Sequence, residues 1–233
     1  MAEWPGEGRR RPPISSPTWA VRAPLARWLE AEARAAGRVR VLDVGCGVKP
    51  YFPFFEPYAE RYVGVDVEAS SAADLVGSVE DLPVDDASFD VVLCTQVLEH
   101  AGDPARAVRE LRRVTAPAGR VLASTHGVQV YHPAPEDLWR WTHAGLDRLF
   151  RENGDWDSVT VRPSSGTTAC LGVLVSTYLD LLARRTGVGR ASPPVVAAIN
   201  RTAAALDRRS PALAGTGPGT LHANYHVVAE VAP

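Results

Sequence analysis

Val41-Leu42-Asp43-Val44-Gly45-Cys46-Gly47 is an apolar, β-branched run that breaks abruptly on a Gly-Cys-Gly turn. Together with Val39 and Arg40 before it, the run predicts a buried parallel strand, and the glycines predict a tight turn at its end. Such a turn lets the backbone approach a ligand closely and offers free N–H groups where the next helix starts. A dinucleotide fingerprint would need a third glycine three residues after Gly47, where this chain has Pro50. No Gly-Lys-Ser or Gly-Lys-Thr phosphate loop is present either. By itself the turn marks a ligand-binding strand-to-helix junction of unspecified chemistry.

The neighbouring sequence supplies a context for it. A second run, Arg61 to Val67, reaches Asp66 about twenty residues after the turn, which leaves room for one crossover helix and so makes a βαβ unit. Further strands are predicted at Asp74 to Ser78, at Phe89 to Cys94 behind the turn-forming Asp85-Asp86-Ala87-Ser88, and at Arg120 to Ser124. Asp103-Pro104 caps a helix carrying Ala107, Val108, Leu111 and Val114 at helical spacing. A helix from Ala23 to Gly37, with Pro24 in its first turn, introduces the domain. In the last third, a helix at 144–153 and a strand at 156–161 are followed by two helical patterns at 167–185 and 194–209, then a final strand at 226–231. The fold class this predicts is α/β: a Rossmann-like, doubly wound, mostly parallel seven-stranded sheet with helices on both faces and a helical insertion before the last strand. The expected organisation is a flexible leader at 1–22 and a single domain at 23–233, within which 167–209 is the insertion or lid.

Composition narrows the partners. The 233 residues are 45% hydrophobic and 22% charged with a formal net charge of -2, so nothing global attracts nucleic acid. Arg9-Arg10-Arg11 lies in a Gly/Pro/Ser-rich leader and is expected to be solvated. Cys46, Cys94 and Cys170 show neither disulfide nor zinc spacing, which fits a reducing cytoplasm. No secretory apolar core follows the arginines, and the apolar stretch at 169–183 is interrupted by Ser176, Thr177 and Asp180 and is shorter than the ~20 residues of a membrane span.

VLDVGCG, YVGVDV, VEDLPVDDASFDVVLCTQVLEH and the later strand VLAS, in this order over residues 39–150, resemble the class I S-adenosylmethionine-dependent methyltransferases. The variants most similar are bacterial small-molecule or glycan methyltransferases with a GCGxKPY turn and a YHxPxDxxRxT segment. The resemblance implies S-adenosylmethionine as cofactor. It places Asp43 near the sulfonium and amino groups, and the backbone of Gly45, Cys46 and Gly47 along the methionine and ribose. It makes Asp66 the acceptor of both ribose hydroxyls, with Val67 beside it. Ser78 stands where these relatives usually have an aspartate for the adenine amine. Glu80 or Asp81 is the alternative partner for that amine, and the N–H of Val79 meets the ring. Cys94, Thr95 and Gln96 flank the methionine moiety.

Methyl transfer is an in-line displacement, so the protein mainly aligns the nucleophile and excludes water. An acceptor that must lose a proton needs a base, and His132 is the first candidate, because the segment Tyr131 to Thr142 is expected to cover the pocket. His126 and Tyr131 complete the catalytic set; His100 and His143 are the other histidines near expected strand ends. Arg140 is expected to pair with Glu136, and no metal-ligand cluster is apparent. The acceptor is expected to be a small molecule or sugar, methylated at oxygen or nitrogen. The alternatives are a non-catalytic binding or scaffolding module, and use of the cofactor's sulfonium without methyl transfer. The apolar face of Leu171, Val173, Leu174, Tyr178, Leu181 and Leu182 either packs on its own sheet or joins two copies through the 167–185 helix.

Overall fold

The computed structural model describes residues 4–69, 72–133 and 136–233. In chain order the elements are α1 (Glu7–Arg10), α2 (Trp19–Ala35), β1 (Val39–Val44), α3 (Phe52–Phe55), β2 (Ala59–Asp66), β3 (Leu75–Val76), β4 (Phe89–Thr95), α4 (Pro104–Val114), β5 (Thr115–His126), α5 (His143–Glu152), β6 (Ser158–Pro163), α6 (Thr167–Arg185), α7 (Ser192–Arg209), α8 (Pro211–Ala214) and β7 (Asn224–Glu230). One sheet has the order β3-β2-β1-β4-β5-β7-β6. β1 to β5 pair in parallel, and β7 runs antiparallel to both β5 and β6. This is the doubly wound sheet that the alternation of strand and helix patterns predicts.

Strand alternation sorts the apolar side chains onto the two faces. Leu42, Val44, Val92 and Cys94 meet α4 and α5 through Val108, Leu111, Leu146 and Phe150. Val39, Val41, Val91 and Leu93 meet α2 and α3 through Leu25, Leu29 and Phe55. Asp103 caps α4 as its position predicts, its carboxylate accepting from the Arg106 N–H at 2.9 Å.

Three local expectations are corrected. α2 begins at Trp19, so Pro24 lies inside the helix and not in its first turn; the extra turn is held by Ala20 and Val21, which pack with Ala169, Cys170 and Val173 of α6. The crossover between β1 and β2 holds one helix, as the spacing predicts; it is the four-residue α3, and Tyr51, Phe55 and Tyr62 pack on that side.

The leader is not a solvated tail. Arg10 is buried, and its guanidinium donates to the carbonyls of Trp4, Pro5 and Pro50, each at 2.7 Å. Trp4 donates from its indole to the Lys49 carbonyl and packs on Phe52, while Asn200 of α7 donates to the carbonyls of Ile14 and Ser16. Residues 1–3 lie outside the described residues. Finally, α6 and α7 pack on each other and on α2, and neither lines the main cavity, so the expected lid is absent from the wall.

Candidate functional site

A cavity of about 540 Å³ opens where β1, β2, β4 and β5 end. The strand order reverses between β1 and β4, and this is where open α/β sheets form a crevice. Gly45 and Gly47 follow β1 with φ of +66° and +52°, in the left-handed region that favours glycine. A Cβ at Gly45 would also lie 2.3 Å from Cγ2 of Val97, so both backbone and packing demand glycine there. The turn is braced from below: Lys49 donates to Asp74 at 2.5 Å, and Gly64 has no room for a side chain between Cys46 and Lys49.

Most residues singled out from the sequence reach the wall. Gly45, Gly47, Asp66, Val67, Ser78, Val79, Glu80, Thr95, Gln96, His126 and His132 all line the cavity. Asp66 ends β2 with its Oδ2 accepting from the Gly47 N–H at 2.7 Å, which fixes the carboxylate against the glycine turn. Ser78 turns its hydroxyl back to the Glu80 N–H, and Glu80 spends Oε1 on the N–H groups of Gly102 and Asp103 at the start of α4. Gln96 holds a left-handed φ of +59°, its backbone N–H donates to the Ser124 carbonyl and its side-chain amide donates to Ser124 Oγ and Asn224 Oδ1, so the residue knits three strands.

Three residues expected at the site do not line the cavity. Asp43 is only 2% exposed and lies on the α2–α3 face of β1, bonded to the Tyr62 hydroxyl at 2.7 Å. The period-two alternation of β1 turns it away from the cavity, and burial pushes its carboxyl up to about 7. Cys46 is buried beside Gly64, with its thiol pushed up to about 12 by burial. Tyr131 is 74% exposed and outside the wall. Asp81 does not line the cavity, and His143 faces the other side, bonded to the Val161 carbonyl.

The segment after β5 closes one end of the cavity. Ala134 and Pro135 of this segment lie outside the described residues. Leu138 and Trp139 donate their N–H groups to the Glu99 carbonyl, the Trp139 indole donates to Ala101, and Trp141 N–H donates to His126. Arg140 pairs with Asp137 through both guanidinium nitrogens, at 2.5 and 2.6 Å, and not with Glu136, because the segment is extended and not helical. The Arg140 guanidinium holds the Asp137 carboxyl well below the usual carboxylate range.

His100, His126 and His132 gather there, His132 lying 5.2 Å from His100 and 5.1 Å from His126 between ring centres. His126 is pushed down to about 3 by burial. Buried Glu99 is pushed up to about 7, and its Oε2 accepts from Thr125. His126, His132 and Asp137 each bring one possible metal-ligand atom within 4.8 Å of the others, a grouping that the irregular spacing of these residues hid in the sequence. Both Asp137 oxygens are taken by Arg140, so the carboxylate is committed to the loop.

Two cavity residues went unrecognised in the sequence. Arg9 of α1 and Arg22 of α2 line the wall, and among the described residues neither side chain has an ion-pair partner. Burial, then the nearby Arg9, lowers the pKa of Arg22. Arg9 was masked by its two arginine neighbours, and Arg22 reads as an ordinary polar position on a helix.

Residues 42–123 match the family described as "Methyltransferase domain". The uncharacterized methyltransferase YcgJ of Bacillus subtilis is 38% identical over 122 residues, which are 46% of this chain and 45% of that protein. The ubiquinone biosynthesis O-methyltransferase of Paraburkholderia phymatum is 31% identical over 114 residues, 42% of this chain and 49% of that protein. The chain thus spans less than half the length of these curated relatives. Among solved structures, the [4+2]-cyclase SpnF superposes with a TM-score of 0.58 at 20% identity, over 91% of this chain and 82% of that one. The structure of Bacillus subtilis YcgJ gives 0.52 at 18% identity, over 89% and 99%. Sheet order and glycine turn agree with the methyltransferase-domain match over residues 42–123, and the superposed structures share the fold.

Proposed function

We propose that the cavity binds S-adenosylmethionine and that the protein transfers its methyl group to a small-molecule or sugar acceptor, at oxygen or nitrogen. The observation that supports this reading best is the meeting of Gly45, Gly47, Asp66, Val67, Thr95 and Gln96 around one cavity at the sheet's switch point. When bound, this cofactor supplies a methyl carbon made electrophilic by a positively charged sulfur.

The wall suits each part of such a molecule. Asp66, pinned by Gly47, offers carboxylate oxygen to a ribose diol. Val67 and Val79 give apolar surface for a purine, with Ser78 and Glu80 at its polar edge. Thr95 and Gln96 flank the methionine chain, and the guanidinium groups of Arg9 and Arg22, without an ion-pair partner among the described residues, suit its carboxylate. Asp43 and Cys46 act from behind, by shaping the turn. On the acceptor side, His132 and His126 are the groups available to take a proton. A volume of about 540 Å³ suits a small ligand.

Titration calorimetry with S-adenosylmethionine and S-adenosylhomocysteine tests the reading. Both bind the intact chain, and Asp66→Ala weakens both by roughly thirtyfold, as loss of about 2 kcal/mol of charge-assisted hydrogen bonding requires. Absence of binding to the intact, folded chain would overturn the proposal and favour a scaffold role for the fold.

Two wider features belong to the same reading. No helix among the described residues is long and apolar enough to cross a membrane, and all three cysteines are free, which supports action in the cytoplasm. Leu171, Val175, Tyr178 and Leu182 of α6 are exposed at helical spacing, while Val173 is buried against α2, and the exposed stripe supports a homodimer contact.

A further inference from the structure

Two of the histidines at the acceptor end of the cavity have a carboxylate close to Nδ1, and the two arrangements are not equivalent. His132 lies 3.5 Å from Oδ2 of Asp137, but Arg140 occupies both oxygens of that carboxylate, and 44% of the His132 side chain is exposed. His126 lies 3.5 Å from Oε1 of Glu99, with side chains 7% and 0% exposed respectively. Among the described residues neither His126 Nδ1 nor Glu99 Oε1 has a hydrogen-bond partner, although both atoms are buried. Two unsatisfied groups of opposite need, facing each other in the interior, are costly unless they serve one another. Thr125 donates to the second Glu99 oxygen, which stops the carboxylate from turning away.

We propose that Glu99 and His126 form a positioning pair: Glu99 accepts from a protonated Nδ1, so that His126 presents an unprotonated Nε2 to the cavity and, in place of His132, is the base for the acceptor. Nδ1 is the nitrogen sealed from solvent, and the ring reaches the cavity wall, which leaves Nε2 as the nitrogen that an acceptor meets. The inference rests on the methyl-transfer reading only for its last step. In that step the acceptor's proton passes to Nε2, and the electron pair left on the acceptor forms the bond to the methyl carbon. The pair of the broken carbon–sulfur bond stays on sulfur, and the imidazolium, stabilised by Glu99, later returns its proton to water.

The tautomer can be read without knowing the acceptor. Long-range ¹H–¹⁵N correlation of the ring nitrogens, assigned with His126→Gln, is expected to show His126 protonated at Nδ1 and bare at Nε2 at neutral pH. Glu99→Leu moves the proton wholly or partly to Nε2, while Glu99→Gln, whose amide oxygen still accepts from Nδ1, keeps it in place and guards against misfolding of the leucine variant. A wild-type His126 protonated at Nε2, or a tautomer indifferent to Glu99→Leu in a folded variant, overturns the proposal. So does selective broadening of His126 and His132 by stoichiometric Mn²⁺, which would make the cluster a metal site. Failure of the cofactor to bind leaves the tautomer result standing, so the pair and the methyl-transfer reading fail separately.

Discussion

The two ends of the cavity are built from different materials. The glycine-turn end is mostly backbone and small apolar side chains, fixed by strands β1, β2 and β4: left-handed glycines, one pinned aspartate, two valines. The histidine end is side chains on an irregular segment, held by carbonyls of Glu99 and Ala101 and by the Asp137–Arg140 pair. A backbone-built end tolerates little substitution at a few positions. A side-chain-built end can be altered one group at a time, the arrangement expected where one cofactor serves many acceptors.

Gly45→Ala breaks this contrast most severely. Positive φ and a methyl 2.3 Å from Val97 act together, so thermal or urea unfolding is expected to show a loss of about 3 kcal/mol and calorimetry a cofactor affinity down by more than roughly a hundredfold. An unchanged melting temperature would show that the turn is looser than its geometry.

The pH dependence of stability separates the ends next. Asp43 keeps its proton in the folded chain up to about 7, whereas the unfolded chain ionises in the ordinary carboxylate range. Its contribution is therefore complete at low pH and is lost as pH rises toward about 7. In Asp43→Asn that fall is expected to be flatter by on the order of 1–2 kcal/mol between acid and neutral pH, measured by urea unfolding. Acid-side stability at the other end responds oppositely: His126, pushed down to about 3, contributes stability above the ordinary imidazole range that is lost as pH falls toward 3. Equal slopes in wild type and Asp43→Asn would remove the buried acid from the account.

Arg9→Ala and Arg22→Ala give the smallest expected change, a weakening of cofactor binding of roughly threefold to tenfold each that shrinks in high salt, since both side chains keep contact with solvent. Equal losses at low and high salt would point to packing in place of charge.

The same contrast explains what the sequence revealed. β1 and β4 are short β-branched runs buried on both faces, and the strand ends carry Gly45, Asp66 and Thr95 to one edge by topology alone. Asp43 shows the limit of such reasoning: its position in the motif was right, but alternation along β1 points it behind the turn. The leader was misread because Arg10 is satisfied by carbonyls, among them Pro50, which no side-chain pattern announces. Glu99 beside His126 was invisible for the same reason, since twenty-seven residues and two strand ends separate them and only the fold brings the two buried atoms together.

The docked leader has a thermodynamic consequence. Because Arg9 and Thr18 are part of the wall, only chains with the leader in place present the whole cavity. An observed Kd then equals the intrinsic value divided by the fraction docked. On the proposed reading, whatever loosens Trp4 from Lys49, or Asn200 from Ile14, would compete with the cofactor without touching its site.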